Sequence, residues 1–163
     1  MVTRRQVREE GHRRKFLAVV DGTPECARAI KYAARRCAAI DADLVLVFVI
    51  EPADFQHWLG VEERMREEAR EEGDNLLQHY NQQVIDDAGI HAELIIREGK
   101  KVDEISDLIE EDRDIALMIL AAGDENDGPG PLVSSIAGSG AAFPIPVTVV
   151  PATLTDEDIE HLV

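Results

Sequence analysis

The chain has 163 residues, of which 45% are hydrophobic and 31% are charged, as in an ordinary globular protein of one domain. Its formal net charge of −16 at pH 7 argues against a nucleic-acid partner and against an anionic membrane surface, because both need clustered Lys and Arg. The acidity itself indicates only a charged, well-solvated surface.

The sequence favours a cytoplasmic protein. No apolar run is long enough to cross a bilayer, and Arg4-Arg5 is not followed by the apolar segment of a secretion signal. Cys26 and Cys37 fall in one predicted helix, ~16 Å apart, which is beyond disulfide reach. Two buried, reduced thiols are typical of the cytoplasm.

Residues 1–14 form a basic arm that contains five arginines, Arg4, Arg5, Arg8, Arg13 and Arg14. We expect it to lie loosely against the acidic body, and the alternative is a docking arm for a subunit or partner. Residues 16–20 then form a short apolar strand. The segment after it predicts a helix start, with Thr23 at the N-cap and Pro24 at the first helical position.

Strands and helices alternate along the rest of the chain. Further strands are predicted at 44–50, 91–97, 115–122 and 145–150. Further helices are predicted at about 61–88, at 102–109 and after residue 132. The tail is also predicted to be a short helix, because Thr155 and Asp158 resemble a capping box. Strands that are apolar on both faces imply a parallel sheet covered by helices on both sides. Ligands of such sheets lie beyond the carboxyl ends of the strands, where strand order reverses.

Two stretches fit that crevice. The first strand ends at Asp21, which either binds a ligand or caps the turn before the helix. The Gly- and Pro-rich loop 123–131 follows the fourth strand and leads into a helix start with Ser134 and Ser135, an arrangement that binds anions when the helix N–H groups are free. The alternative is that the two serines cap the helix, which the lost glycines favour.

The loop has no Lys, unlike a Walker motif, so positive charge would come from a metal, from distant cations at 97, 100 and 101, or from a partner subunit. Phe55 and Trp58 either cover the core edge or form a lid or docking patch. The five histidines lack ligand spacing, which predicts no structural metal. Ser134 lacks the Gly-x-Ser-x-Gly frame of a hydrolase nucleophile.

Three motifs make residues 15–151 resemble the universal stress protein family: Val20-Asp21-Gly22-Thr23, Val49-Ile50-Glu51, and the spacing of a Gly-two-Gly-nine-Gly-Ser phosphate loop before a Pro-Val strand. In that loop Ser134 falls on the motif's Ser, Gly123 on its second Gly, and Leu120 and Val133 on the other two. A Cβ at those two positions restricts φ and hinders close approach of the backbone to phosphate.

The resemblance implies a five-stranded α/β sheet in the order 3-2-1-4-5, of the adenine nucleotide alpha-hydrolase-like type. It implies one domain over 15–151, with the acidic tail 152–163 beyond it, and a homodimer often paired through the last strand, Val147–Val150. It implies ATP or AMP with Mg²⁺ in one branch of the family and no nucleotide in another.

If the binding residues of the family are transferred to the matching positions of this chain, Asp21 would lie near the ribose and phosphates. It would reach a metal only through nucleotide-bound Mg²⁺. The backbone of Val49 and the side chain of Val19 would meet the base. The full predicted set is Val19, Asp21, Gly22, Val49, Gly123, Val133, Ser134 and Ser135. We therefore expect a regulatory stress-response protein, not an enzyme, that binds an adenine nucleotide weakly. The alternative is a nucleotide-free interaction module of the same fold with an unknown protein partner.

Overall fold

The computed structural model describes residues 3–52, 62–123, 131–138 and 143–163, which form five strands and five helices. The strands are β1 (Lys15–Val19), β2 (Asp43–Ile50), β3 (Glu93–Glu98), β4 (Ile115–Ala121) and β5 (Val147–Val150). The helices are α1 (Cys26–Ile40), α2 (Glu62–Ala88), α3 (Lys101–Glu111), α4 (Pro131–Gly138) and α5 (Asp156–Leu162). The predictions on Phe55, Trp58 and most of the Gly- and Pro-rich loop lie outside the described residues.

The sheet is parallel throughout the described strands, and its order is β3-β2-β1-β4-β5. This confirms the predicted architecture, including the edge position of β3. β1 lies in the middle, with Leu17 and Ala18 fully buried on opposite faces. Strand order reverses between β1 and β4, which opens a crevice at their carboxyl ends.

Two hydrophobic cores cover the two faces of the sheet. On one face, α1 and α2 pack against alternate side chains of β1 and β2, including Ala18 and Leu46. On the other, α3 and α4 pack against Leu17 and Val45. Within α2, Gly73 allows close approach to β2, because an added Cβ would lie 2.6 Å from Cδ1 of Phe48. The two-sided apolar strands are therefore buried as predicted.

The start of α1 differs from the prediction. The helix begins at Cys26, and its N-cap is Glu25, without a side-chain cap. Thr23 does not cap it, because its hydroxyl donates to Oδ1 of Asp21 at 2.6 Å and its backbone N–H donates to the same oxygen at 3.0 Å. Such a local turn around an Asp competes with helix capping.

The expectation of a loosely held N-terminal arm is wrong for its described residues. The Arg5 guanidinium donates from Nη1 to the carbonyls of Ile109 and Ile115, at 2.5 and 3.3 Å, and Nη2 lies 3.5 Å from Glu110. Carbonyls at the end of a helix lack partners within the helix, so a cation satisfies them well. The arm thus closes the junction between α3 and β4.

The C-terminal tail forms α5, and the predicted capping box is present: Asp158 N–H donates to Thr155 Oγ1 and Thr155 N–H donates to the Asp158 carboxylate. Ile159 is fully buried, and Glu160 pairs with Lys31 on α1 at 3.2 Å. None of the helices in the part of the chain that the structure describes combines the length and apolar character needed to cross a bilayer.

Arg5→Ala should lower the free energy of unfolding by about 1–3 kcal/mol, because it removes the charged donor that bonds the carbonyls of Ile109 and Ile115. Arg8→Ala removes the same charge from an exposed position of the arm and should change stability by less than about 0.5 kcal/mol. Urea denaturation measures both. Equal stability of the two variants would contradict the anchoring role of Arg5.

Candidate functional site

A small crevice lies at the carboxyl ends of β1 and β4. Val19 and Asp21 line it from the β1 side, and Leu120, Leu132 and Val133 line it from β4 and α4. Its volume is about 30 Å³, room for one or two water molecules. Pockets that hold small organic ligands have ~300–1,000 Å³. The crevice is therefore at the expected place but narrow.

The crevice is narrow because of two side chains at motif-glycine positions. Leu120 is 5% exposed and packs in the core beneath α4, together with Leu132. Val133 is partly buried against the same core. Glycines at these two positions would leave open the space that the side chains now fill.

Asp21 gives the crevice a negative wall. Its Oδ1 is already engaged by Thr23, so its other oxygen is left for a ligand or metal. Gly22 follows with φ of +75°, a conformation that glycine adopts without strain. Glu25 also lines the crevice, and no Lys or Arg is among its described lining residues. A phosphate here would need a cation beside it.

Cys26 lines the crevice, and its thiol is unreactive at neutral pH. Its thiol lies 3.6 Å from the carbonyl of Val19, to which it donates. Burial raises the pKa of Cys26 to about 11, and burial likewise raises the pKa of nearby Tyr80 to about 12. At neutral pH the sulfur is protonated and a poor nucleophile.

The remaining predicted site residues are spread more widely. Val49 is 7% exposed and lines a separate cavity of about 410 Å³ beside the end of β2, with Phe48, Glu51 and Lys101. Gly123 is buried directly after β4, whereas Ser134 and Ser135 are exposed on α4 and are not among the crevice's lining residues.

The structure therefore brings Val19, Asp21 and Val133 together and places Val49 and the two serines elsewhere. The assignment of all eight residues as nucleotide contacts stays a prediction. Within the described ranges, no three His, Cys, Asp or Glu side chains converge to hold a metal ion.

One cation beside the crevice is absent from the predicted set. Arg97, one of the distant cations that the sequence offered as a source of positive charge, forms ion pairs with Glu111 and Glu104. Arg28 instead reaches the end of β4, where its Nη2 donates to the carbonyl of Ala122 at 3.2 Å. The predicted helix start, with Pro24 as the first helical residue, placed Arg28 beyond the first turn, so its position at the start of α1 was not evident from the sequence.

The model of the universal stress protein family matches residues 12–151. No curated protein matches the sequence. The solved structure of the universal stress protein UspA from Lactobacillus plantarum is similar, with a TM-score of 0.72 and 17% identity, covering 84% of this chain and 97% of that one.

Two further similar structures contain ligands. A universal stress protein in complex with cAMP has a TM-score of 0.60 and 17% identity, covering 86% of this chain and 98% of its own. A protein of the family from Arabidopsis thaliana with AMP bound has a TM-score of 0.60 and 18% identity, covering 88% and 94%. At these identities the similarity establishes the fold.

The raised pKa of Cys26 predicts a pH-dependent contribution to stability. The unfolded thiol ionises at lower pH than the folded one, so its contribution is full below about pH 9 and is lost as pH rises through about 11. The stability difference between wild type and Cys26→Ala should shrink over that range by about 1–3 kcal/mol. Urea denaturation at several pH values measures it, and a constant difference would contradict the prediction.

Proposed function

The chain belongs to the universal stress protein family, and on that premise we propose that it is a non-catalytic, regulatory stress-response protein of the cytoplasm that binds an adenine nucleotide weakly. The binding site is the crevice at the carboxyl ends of β1 and β4, with AMP or ATP as ligand and Mg²⁺ as counterion. The cytoplasmic assignment is supported by two buried free thiols, Cys26 and Cys37.

One observation carries the proposal. Asp21, at the end of β1, and Val133, at the position of the motif's last glycine, line the same crevice at the point where strand order reverses. The AMP and cAMP complexes of two proteins with this fold support an adenine nucleotide as the ligand class.

Binding is weak for two physical reasons. A nucleotide needs far more than the crevice's volume of about 30 Å³, so the Leu120 and Val133 side chains must move first. Asp21 and Glu25 repel phosphate unless a divalent cation lies between them. A dissociation constant of about a millimolar, equivalent to about −4 kcal/mol, fits these costs.

Binding takes place without turnover. The crevice is lined mainly by apolar side chains, and none of its described lining residues is a Lys or a His that would activate a nucleophile. The thiol of Cys26 is kept protonated by burial, which raises its pKa.

A second candidate is a nucleotide-free protein-interaction module of the same fold. The filling of the crevice by Leu120 and Val133 favours it, because the space that a ligand would occupy is already part of the core. Under this alternative, the protein acts through its surface on a protein partner, and nucleotides have no effect on its melting temperature.

Restoring the motif glycines separates the two candidates. Leu120→Gly combined with Val133→Gly should bind Mg-ATP and Mg-AMP at least about tenfold more tightly than wild type, because the crevice opens and the backbone becomes accessible. Leu117→Gly is the matched control, since Leu117 lies on the same strand but packs on the opposite face. Isothermal titration and ligand-observed NMR measure the affinities.

The possible results distinguish the weak nucleotide site from the interaction module. Millimolar binding by wild type and tighter binding by the double variant support the weak nucleotide site. No binding by wild type, with binding by the double variant, favours the interaction module. No binding by either protein contradicts the assignment of the crevice.

We also propose that the protein is a homodimer paired through β5. This strand lies at the edge of the sheet, where backbone N–H and C=O groups have no partner strand. Val149 on β5 is 41% exposed, next to an apolar cleft of about 310 Å³ that also involves Phe143 and Ile145. An exposed edge with apolar side chains favours association of two copies.

Val149→Lys should convert the dimer to a monomer, because it places a charge in the paired edge. Leu162→Lys is the control, since Leu162 is 57% exposed on α5, away from the edge strand. Light scattering after size-exclusion chromatography measures the mass. A monomeric wild type, or dissociation by both substitutions alike, would refute pairing through β5.

A further inference from the structure

Arg28 has an environment that its helix does not explain. It is the third residue of α1, so its charge lies at the positive end of the helix dipole. The first turn of α1 contains no acidic residue, and the carboxylate next to it belongs to the N-cap residue, Glu25. The position of Arg28 therefore opposes the electrostatic preference of its own helix.

The hydrogen bonding of Arg28 is incomplete. Nη2 donates to the carbonyl of Ala122 at 3.2 Å, which holds the side chain against the end of β4. Nε is buried and has no hydrogen-bond partner, and no described carboxylate forms an ion pair with this guanidinium. Lys31 and Arg35, the next cations along α1, both pair with acidic side chains. A buried donor without an acceptor is costly, and an anion satisfies it best.

Arg28 also lies next to the crevice. Its neighbour on α1, Ala29, and the neighbour of its carbonyl partner on β4, Ala121, both line the crevice. The crevice itself has Asp21 and Glu25 but no cation among its described lining residues. Arg28 therefore supplies positive charge on the side where the loop after β4 begins.

We propose that Arg28 is the phosphate-binding residue of this protein: its guanidinium binds a phosphate group of a ligand seated at the carboxyl ends of β1 and β4. This inference rests on the proposed nucleotide function and gives it a specific counter-charge. A guanidinium fork contributes directional donors to phosphate oxygens, which offsets the backbone approach lost at Leu120 and Val133.

Tripolyphosphate and adenosine, as separate probes, test the proposal at constant ionic strength. Tripolyphosphate should raise the melting temperature of wild type, and Arg28→Gln should weaken its binding about tenfold or more. Adenosine, which has no phosphate, should bind equally to wild type and variant. Arg36→Gln, which removes one charge from the same helix two turns further on, should stay within about twofold of wild type.

Arg28→Lys keeps a charge but loses the planar fork, so its affinity for tripolyphosphate should lie between those of wild type and Arg28→Gln. Without anions, Arg28→Gln should melt at or above the temperature of wild type, because it removes a cation from the first turn of α1. A structural role for Arg28 predicts a lower melting temperature instead, so this readout distinguishes folding from binding.

The outcomes are separable from those of the nucleotide proposal. Equal loss of tripolyphosphate affinity in Arg28→Gln and Arg36→Gln, or no response of wild type to tripolyphosphate, overturns the role of Arg28. Binding of AMP that is unchanged by Arg28→Gln also overturns it and leaves the nucleotide function standing. Tripolyphosphate binding that needs Arg28, with no binding of AMP or adenosine, supports Arg28 and refutes the adenine assignment.

Discussion

The register of β1 against β4 determines where the crevice forms. Leu17 and Ala18 of β1 are registered with Met118 and Ile119 of β4, and all four side chains are fully buried. Burial on both faces holds this register, since a shift by one residue would exchange the two faces of each strand. The same register brings the turn after β1 and the loop after β4 to one edge, where strand order reverses. The position of Asp21 beside the start of the loop is thus a consequence of core packing.

The Leu120 side chain packs in the hydrophobic core and thereby fills part of the crevice. Burying a leucine contributes about 1.5–3 kcal/mol to folding, and this side chain is almost fully buried beneath α4. A ligand that displaces it must recover that free energy before any net binding appears. Under the proposed nucleotide function, phosphate contacts must first offset this loss, which is why we propose a weak affinity.

Features set by local periodicity and chain order were predictable from the sequence, and the strand order followed from the family resemblance. The alternation of strands and helices and the capping box at Thr155 are examples, because each depends on residues close together in the chain. Contacts across long separations were not predictable. Arg5 reaches carbonyls more than a hundred residues away, and Arg28 reaches Ala122. The prediction that Thr23 caps α1 was wrong, because the Thr23 hydroxyl donates to the carboxylate of Asp21 instead. The first-turn position of Arg28 was not predictable either, because α1 begins two residues later than the predicted start at Pro24.

Chemical-shift mapping of the ¹⁵N-labelled protein with Mg-AMP locates a bound nucleotide on the structure. A nucleotide at the carboxyl ends of β1 and β4 should cause the largest shifts at the crevice and its rim, in the backbone amides of Gly22, Gly123 and Val133 and in the side chain of Arg28. The shifts should keep growing at millimolar ligand, as weak binding requires. A nucleotide site at the carboxyl ends of β1 and β4 would be contradicted by no shifts anywhere, or by shifts centred on the groove that Lys31 of α1, Gln83 of α2 and Asp156 of α5 line.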